Sequence, residues 1–186
     1  MISKEQHSSS FRDPSGYIFI EDNILKRRIL PIYFKQYYKL KKSNFFDKLF
    51  KFGLLINHKE VSASDTEIVI CPEQIPFITY PYEWSFVQYK EAALLTLKLQ
   101  KFALENEFSL KDASAFNVTF HNGKAIFIDT LSFDFYEENT PWRGYKQFVT
   151  HFFGPLLLAH YHGSEILKLI SNFIDGIPVK TIASML

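Results

Sequence analysis

Three polar side chains around a predicted hairpin constrain this chain more than any other feature. Asp112 is followed by four residues and then Asn117 in the run Ser109-Leu-Lys-Asp-Ala-Ser-Ala-Phe-Asn117. A hairpin is predicted from Asn117 to Asp129 around His121-Asn122-Gly123, closed by the aliphatic-rich Phe127-Ile128-Asp129. Asn117 opens the hairpin and Asp129 ends it, so two oxygen-bearing side chains distant in sequence return to one place. The turn decides whether they share a face. A three-residue loop with Gly123 left-handed sets Asn117 opposite Phe127, on the same face as Asp129. A two-residue Asn122-Gly123 turn sets them on opposite faces. A convergent site therefore expects the longer loop, or an equivalent bulge or twist. The plainer reading makes Asp112 a helix or turn cap and Asn117 an Asx-turn residue.

The surrounding pattern is α+β. Tyr17–Ile20 and Ile24–Leu30 flank Glu21-Asp22-Asn23 as a first hairpin, and Pro31 opens helical material that runs to about Ile56. A break is expected at Ser43-Asn44, either of which can cap the second piece, and Gly53 is its natural stop. Glu67–Cys71 and Ile75–Tyr80 are β-rich runs punctuated by Pro72, Pro76 and Pro81. Ser85 and Gln88 have capping-box spacing before Phe86–Glu107, the longest helical pattern, whose leucines and alanines on several faces predict a largely buried helix. From Tyr145 onward the chain reads as helix, kinked at Gly154-Pro155 and restarted at Ser164. Small mixed β first and helices later describe two lobes. The predicted organisation is a disordered start at residues 1–10, a small lobe over 11–83 and a helical lobe over 84–186, with a hinge near Tyr82–Trp84.

An Asp, four residues, an Asn, and a second Asp at the end of the next hairpin strand resemble the catalytic centre of protein kinases. The resemblance implies a protein-kinase-like two-lobed fold. In it Asp112 would accept a proton from, or orient, an attacking hydroxyl. Asn117 and Asp129 would hold Mg²⁺ against the phosphates of ATP, because hard cations take oxygen ligands. The implied partners are a nucleotide and a small hydroxylated acceptor.

Longer motifs resemble one bacterial family. They are Ser10-Phe-Arg-Asp-Pro-Ser-Gly16, Ile75-Pro-Phe-Ile-Thr-Tyr-Pro-Tyr-Glu-Trp84, Ser109–Asn117, Phe127-Ile-Asp-Thr-Leu-Ser-Phe133, and Tyr145-Lys-Gln-Phe148 through His151-Phe152 and Pro155-Leu156. They are similar to nodulation-type proteins labelled class I SAM-dependent methyltransferases, in which this region precedes a separate methyltransferase domain. The resemblance covers nearly the whole chain from Ser10 onward and implies the N-terminal part of a longer design, either a fragment of it or a stand-alone relic. The residues themselves contain no Gly-rich strand-to-helix loop, so no SAM site is read in them.

Other kinase features depart from the pattern. Gly16 is the single glycine where a Gly-rich phosphate loop is expected, and Thr130-Leu131-Ser132 replaces the Phe-Gly that usually follows the metal Asp. Lys111 stands where protein kinases place Arg. On the second strand Lys26 and Arg28 share one face and Arg27 the other. Any of the three could reach a phosphate, and Arg27 is the candidate. The helical segment after it contains no Glu, so the strand-cation to helix-Glu pair is missing. The sequence therefore reads as a kinase-like domain that binds Mg-nucleotide, with phosphate transfer left open. The alternative is a non-catalytic binding or regulatory module of a methyltransferase protein.

Composition narrows the setting. The net charge is +1, which names no partner. Lys26–Lys51 is basic with Asp47 its only acid, and it interleaves Tyr33, Phe34, Tyr37, Tyr38, Phe45 and Phe46. The preferred reading is an amphipathic helix pair with aromatics inward and solvated lysines, rather than a nucleic-acid or membrane surface. The lone Cys71 cannot form an internal disulfide, and Met1–Ser10 has no apolar signal-peptide core, so a cytoplasmic protein is expected. His160 and His162 read as surface or packing residues, His151 as a core residue, and Trp84 and Trp142 as packing anchors.

Overall fold

A computed structural model describes residues 13–186; the polar start Met1–Ser10, together with Phe11 and Arg12, lies outside the described residues. The fold is α+β, with one unit ending at Pro76 and a second spanning Phe77–Leu186.

The first unit is an antiparallel sheet with two helices against one face. Strands β1 (Gly16–Glu21) and β2 (Ile24–Ile29) form a hairpin with register Gly16↔Ile29 to Glu21↔Ile24. Its turn is only Asp22-Asn23, both at positive φ (53° and 62°), the tight geometry that Asp and Asn tolerate. A short 3₁₀ turn at Pro31–Tyr33 leads into α1 (Phe34–Lys42), then α2 (Phe45–Lys51). The break falls at Ser43-Asn44, yet neither side chain caps α2. Asn44 turns the chain with a left-handed φ of 55°, and Ser43 Oγ donates back to the Leu40 carbonyl at 2.9 Å. Gly53, at φ 62°, ends α2 as expected.

Strands β3 (His58–Ala63) and β4 (Ile68–Pro72) complete the order β1-β2-β4-β3. Register places Ile18, Arg27 and Ile70 in one row, and Glu60 opposite Ile70. The helices cover that face. Tyr37 OH donates to Glu60 at 3.1 Å, and the His58 ring meets those of Phe46 and Phe50 at 5.1 and 4.9 Å. The apolar floor is Ile29, Ile68 and Ile70 against Tyr37, Leu40, Phe45 and Leu49, all buried.

In the second unit the run Ile75–Tyr80 (which begins just before it) forms no strand. Pro76 and Pro81 remove donors, and Thr79 instead bonds Thr119 and Phe120 through its side chain and its N–H. Helix α3 (Phe86–Leu104) carries the predicted capping box at Ser85 and Gln88. It is buried on one side only: Tyr89, Ala92, Thr96, Leu99 and Ala103 face inward, whereas Leu94, Leu97 and Leu104 are 54%, 41% and 43% exposed. The expectation of a largely buried helix is thus halved. Strands β5 (Phe108–Leu110) and β8 (Phe133–Phe135) pair, enclosing the hairpin of β6 (Val118–His121) and β7 (Lys124–Phe127).

The predicted kink near Gly154-Pro155 takes a definite form. Helix α4 (Tyr145–Phe148) passes into a π-helical turn at Val149–Phe153, and α5 (Gly154–His162) follows. Pro155 has no N–H to give to the His151 carbonyl one turn back, and the Tyr89 hydroxyl takes its place at 2.5 Å. A 3₁₀ segment at Ser164–Asn172 and α6 (Val179–Met185) close a small core of Leu158, Ile170, Ile177 and Ile182. No helix among the described residues is long and apolar enough to cross a membrane.

Candidate functional site

The loop between β5 and β6 is built by short-range polar turns. Asp112 Oδ1 accepts the Ser114 N–H at 3.0 Å, and Ser114 Oγ accepts the Phe116 N–H at 3.3 Å. A 3₁₀ turn over Ala115–Asn117 then delivers the chain into β6. The plain capping reading of Asp112 is therefore part of the geometry, and it coexists with a second arrangement made by the same carboxylate.

That arrangement depends on the hairpin. Its turn is the two-residue one: Val118↔Phe127 to His121↔Lys124, with Asn122 and Gly123 at φ 51° and 74°. The longer loop is corrected, and in an unbroken ladder Asn117 and Asp129 would splay apart. The ladder does not continue that far. Ile128 N–H donates to the Asn117 carbonyl at 2.8 Å as its last rung. Asn117 already belongs to the 3₁₀ turn, while Asp129 starts a turn in which its Oδ1 accepts the Leu131 N–H at 3.2 Å. Both side chains then meet at Ser132: its hydroxyl donates to Asp129 Oδ2, and Asn117 Nδ2 approaches its Oγ at 3.4 Å. Turns outside the pleat thus do what a longer loop would have done.

Asp112 joins the pair. Burial pushes its carboxyl above the usual carboxylate range, and the charge of Asp129 pushes in the same direction. The Ser114 N–H, Asn117 and Gln147 pull it back by hydrogen bonding. Asn117 hydrogen-bonds Asp112 and meets Asp129 through the Ser132 hydroxyl, so two carboxylates and an amide gather as oxygen-bearing groups of the kind that a hard divalent cation takes. Among the described residues no group of three or more His, Cys, Asp or Glu side chains is placed to hold a metal. Asn117 and Asp129 offer an amide oxygen and a carboxylate of the kind that Mg²⁺ takes, with Asp112 beside them.

The support beneath the loop is rigid. Gln100 Oε1, from α3, accepts the Leu110 N–H at 2.8 Å, and Trp142 Nε1 donates to the Leu110 carbonyl at 2.6 Å. A Cβ on Gly144 would lie 2.9 Å from Trp142 Nε1 and 3.1 Å from both Ala113 Cβ and the Leu110 carbonyl, so only glycine fits there. Trp84 is a packing anchor too: it is 5% exposed, and its rings meet Tyr89 and Phe120 at 5.8 and 5.4 Å.

Arg27 belongs to the first unit, on the helix-covered face, and is 9% exposed. Lys26 pairs with Glu21 at 2.8 Å and Arg28 with Glu67 at 2.7 Å. Arg28 also lies 5.2 Å from the Tyr17 and Phe19 ring centroids. The acid facing α1 comes from the sheet, where Glu60 pairs with Lys41 at 2.7 Å, which reverses the strand-cation to helix-Glu arrangement.

No family model matches the chain. It is 34% identical over 181 residues to nodulation protein NoeA of Rhizobium meliloti (strain 1021), a match covering 92% of this chain and 37% of that protein. The chain thus spans little more than a third of the length of this relative. Among solved structures it is similar to vaccinia related kinase 3, at 12% identity and a TM-score of 0.49, over 98% of this chain and 83% of that one.

Proposed function

We propose that this chain is a kinase-like domain that binds Mg²⁺-nucleotide through Asn117 and Asp129, with Asp112 facing a hydroxylated acceptor. The observation that carries this reading is the gathering of Asp112, Asn117 and Asp129 around one amide and one hydroxyl, although the hairpin register alone would separate two of them. Bound there, Mg²⁺ would neutralise phosphate charge and orient the phosphates. Asp112, restrained by the Ser114 N–H, would orient an acceptor hydroxyl and accept its proton.

Thermal unfolding tests the reading. ATP should raise the melting temperature only with Mg²⁺ present, by an amount equivalent to about 2.7 kcal/mol at a hundredfold excess over Kd. Asp129→Ala should remove most of the shift. Asp112→Ala should keep it and remove any phosphate transfer. A shift that survives Asp129→Ala would put the nucleotide elsewhere.

A second reading is a non-catalytic binding or regulatory module of a longer methyltransferase protein. The lack of any Glu in α1 and α2 favours it, because the usual strand-cation to helix-Glu pair then has no acid. No Mg²⁺-dependent shift in the parent would select this reading.

A further inference from the structure

We propose that Ser132 is the positioning residue of this site, holding Asp129 and Asn117 in the orientation that a divalent cation requires; the inference rests on the metal reading above. Ser132 is completely buried and bonds to every segment that carries a site residue. Its hydroxyl hydrogen goes to Asp129 Oδ2 and its oxygen faces Asn117 Nδ2 at 3.4 Å. Its carbonyl accepts the N–H of Lys111, the residue before Asp112, at 2.7 Å.

A serine hydroxyl has one hydrogen, and this one is spent on Asp129, so toward Asn117 it can only accept. That fixes the Asn117 amide with its nitrogen toward Ser132. The second amide hydrogen is available for the bond to Asp112, which leaves the amide oxygen as the end to offer a cation. On Asp129, the Leu131 N–H holds Oδ1 and the Ser132 hydroxyl holds Oδ2, which stops the carboxylate rotating. Such outer partners of metal ligands govern affinity, with losses of about 10–100-fold when they are removed. An aliphatic or glycine residue here would release both ligands at once. The sequence signal for this role is the three-residue step from Asp129 to Ser132, a spacing at which a carboxylate reaches a hydroxyl within one turn.

The test is Mn²⁺ binding to the full chain, read from the electron paramagnetic resonance signal of free Mn²⁺. Ser132→Ala should weaken binding about tenfold or more. Ser132→Thr, which keeps the hydroxyl, should bind within about threefold of the parent, a rescue that a purely space-filling role would not give. Should the alanine variant fail to fold, Ser132→Cys, close in volume but a weak donor, is read in its place. If the parent binds Mn²⁺ and Asp129→Ala does not, an unchanged affinity in Ser132→Ala overturns this inference alone. No binding by the parent overturns the metal reading and this inference with it.

Discussion

Gln147 Oε1 accepts the N–H of Ala113 at 2.7 Å across 34 positions of sequence, and the same side chain hydrogen-bonds Asp112. One glutamine on α4 therefore holds both the backbone and the carboxylate of the loop. Gln147→Leu should leave the buried Ala113 N–H without an acceptor, at a cost of about 1–3 kcal/mol. In a chain of this size each kcal/mol lowers the melting temperature by roughly 2–4 °C. Gln147→Glu keeps an acceptor for Ala113 but sets another carboxylate beside Asp112, so its deficit should shrink on mild acidification. Melting curves of both variants at two pH values check this; a Leu variant with parental stability would refute it.

The Tyr89 hydroxyl substitutes for the N–H that Pro155 lacks. Tyr89→Phe should therefore strand the His151 carbonyl and cost about 1–3 kcal/mol. Pro155→Ala supplies a backbone N–H nearby, so the double variant should be more stable than the two single losses added together. A double-mutant cycle in urea measures the coupling; strict additivity would break the link between the two residues.

His58 and His151 are both held near a pKa of about 4 by burial, against 6.5 when free. Between those values the unfolded chain binds protons that the folded chain refuses. Stability should be full above about pH 6.5 and fall as the pH drops toward 4, with each imidazole contributing up to about 1.4 kcal/mol per pH unit. His151→Phe and His58→Phe should each flatten the urea midpoint against pH over that window. A slope identical to the parent's would show that the imidazoles are protonated in the folded state.

The basic segment should behave mostly as a solvated helix face. Lys39→Gln and Lys42→Gln should change stability by only a few tenths of a kcal/mol. Lys41→Gln loses the 2.7 Å pair with Glu60 and should cost more, though under about 1 kcal/mol because Lys41 is 52% exposed. Pull-down on anionic liposomes and gel shift with single-stranded DNA should show no binding before or after the triple change. A salt-sensitive affinity lost in the triple variant would make this face a binding surface.

The elements with a local signature were legible in the sequence. The Ser85–Gln88 capping box, the stop at Gly53 and the first hairpin all follow from short-range chemistry, and the structure contains them. Strand β3 was missed because His58-Lys59-Glu60-Val61-Ser62-Ala63 is an exposed edge whose register shifts between Glu60 and Ser62, so no alternation marks it. Strands β5 and β8 are three residues each, too short for a period to register. In the site, Asp112, Asn117 and Asp129 were marked by spacing, but how they meet was not. The deciding contacts are made by Ser132 and Gln147, and nothing in the sequence around Gln147 points 34 positions back.

The pairing of β5 with β8 has a consequence for how such a site can change over time. The two strands join at Leu110↔Phe133, and the stacked rings of Phe108 and Phe135, 5.9 Å apart, lie just outside that junction. Everything from Lys111 to Ser132 is therefore a closed excursion whose ends are clamped by residues that do no chemistry. The entropy of closing it is met by the clamp and grows only slowly with length, by about 0.6 kcal/mol per doubling. Substitutions or insertions at the Asn122-Gly123 tip can thus be tried without loosening the polar cluster at the base, while a change in the clamp would disturb all three site residues together. Natural variation should collect at the tip and be scarce at Phe108, Leu110, Phe133 and Phe135, a distribution that selection for a reactive centre alone would not produce.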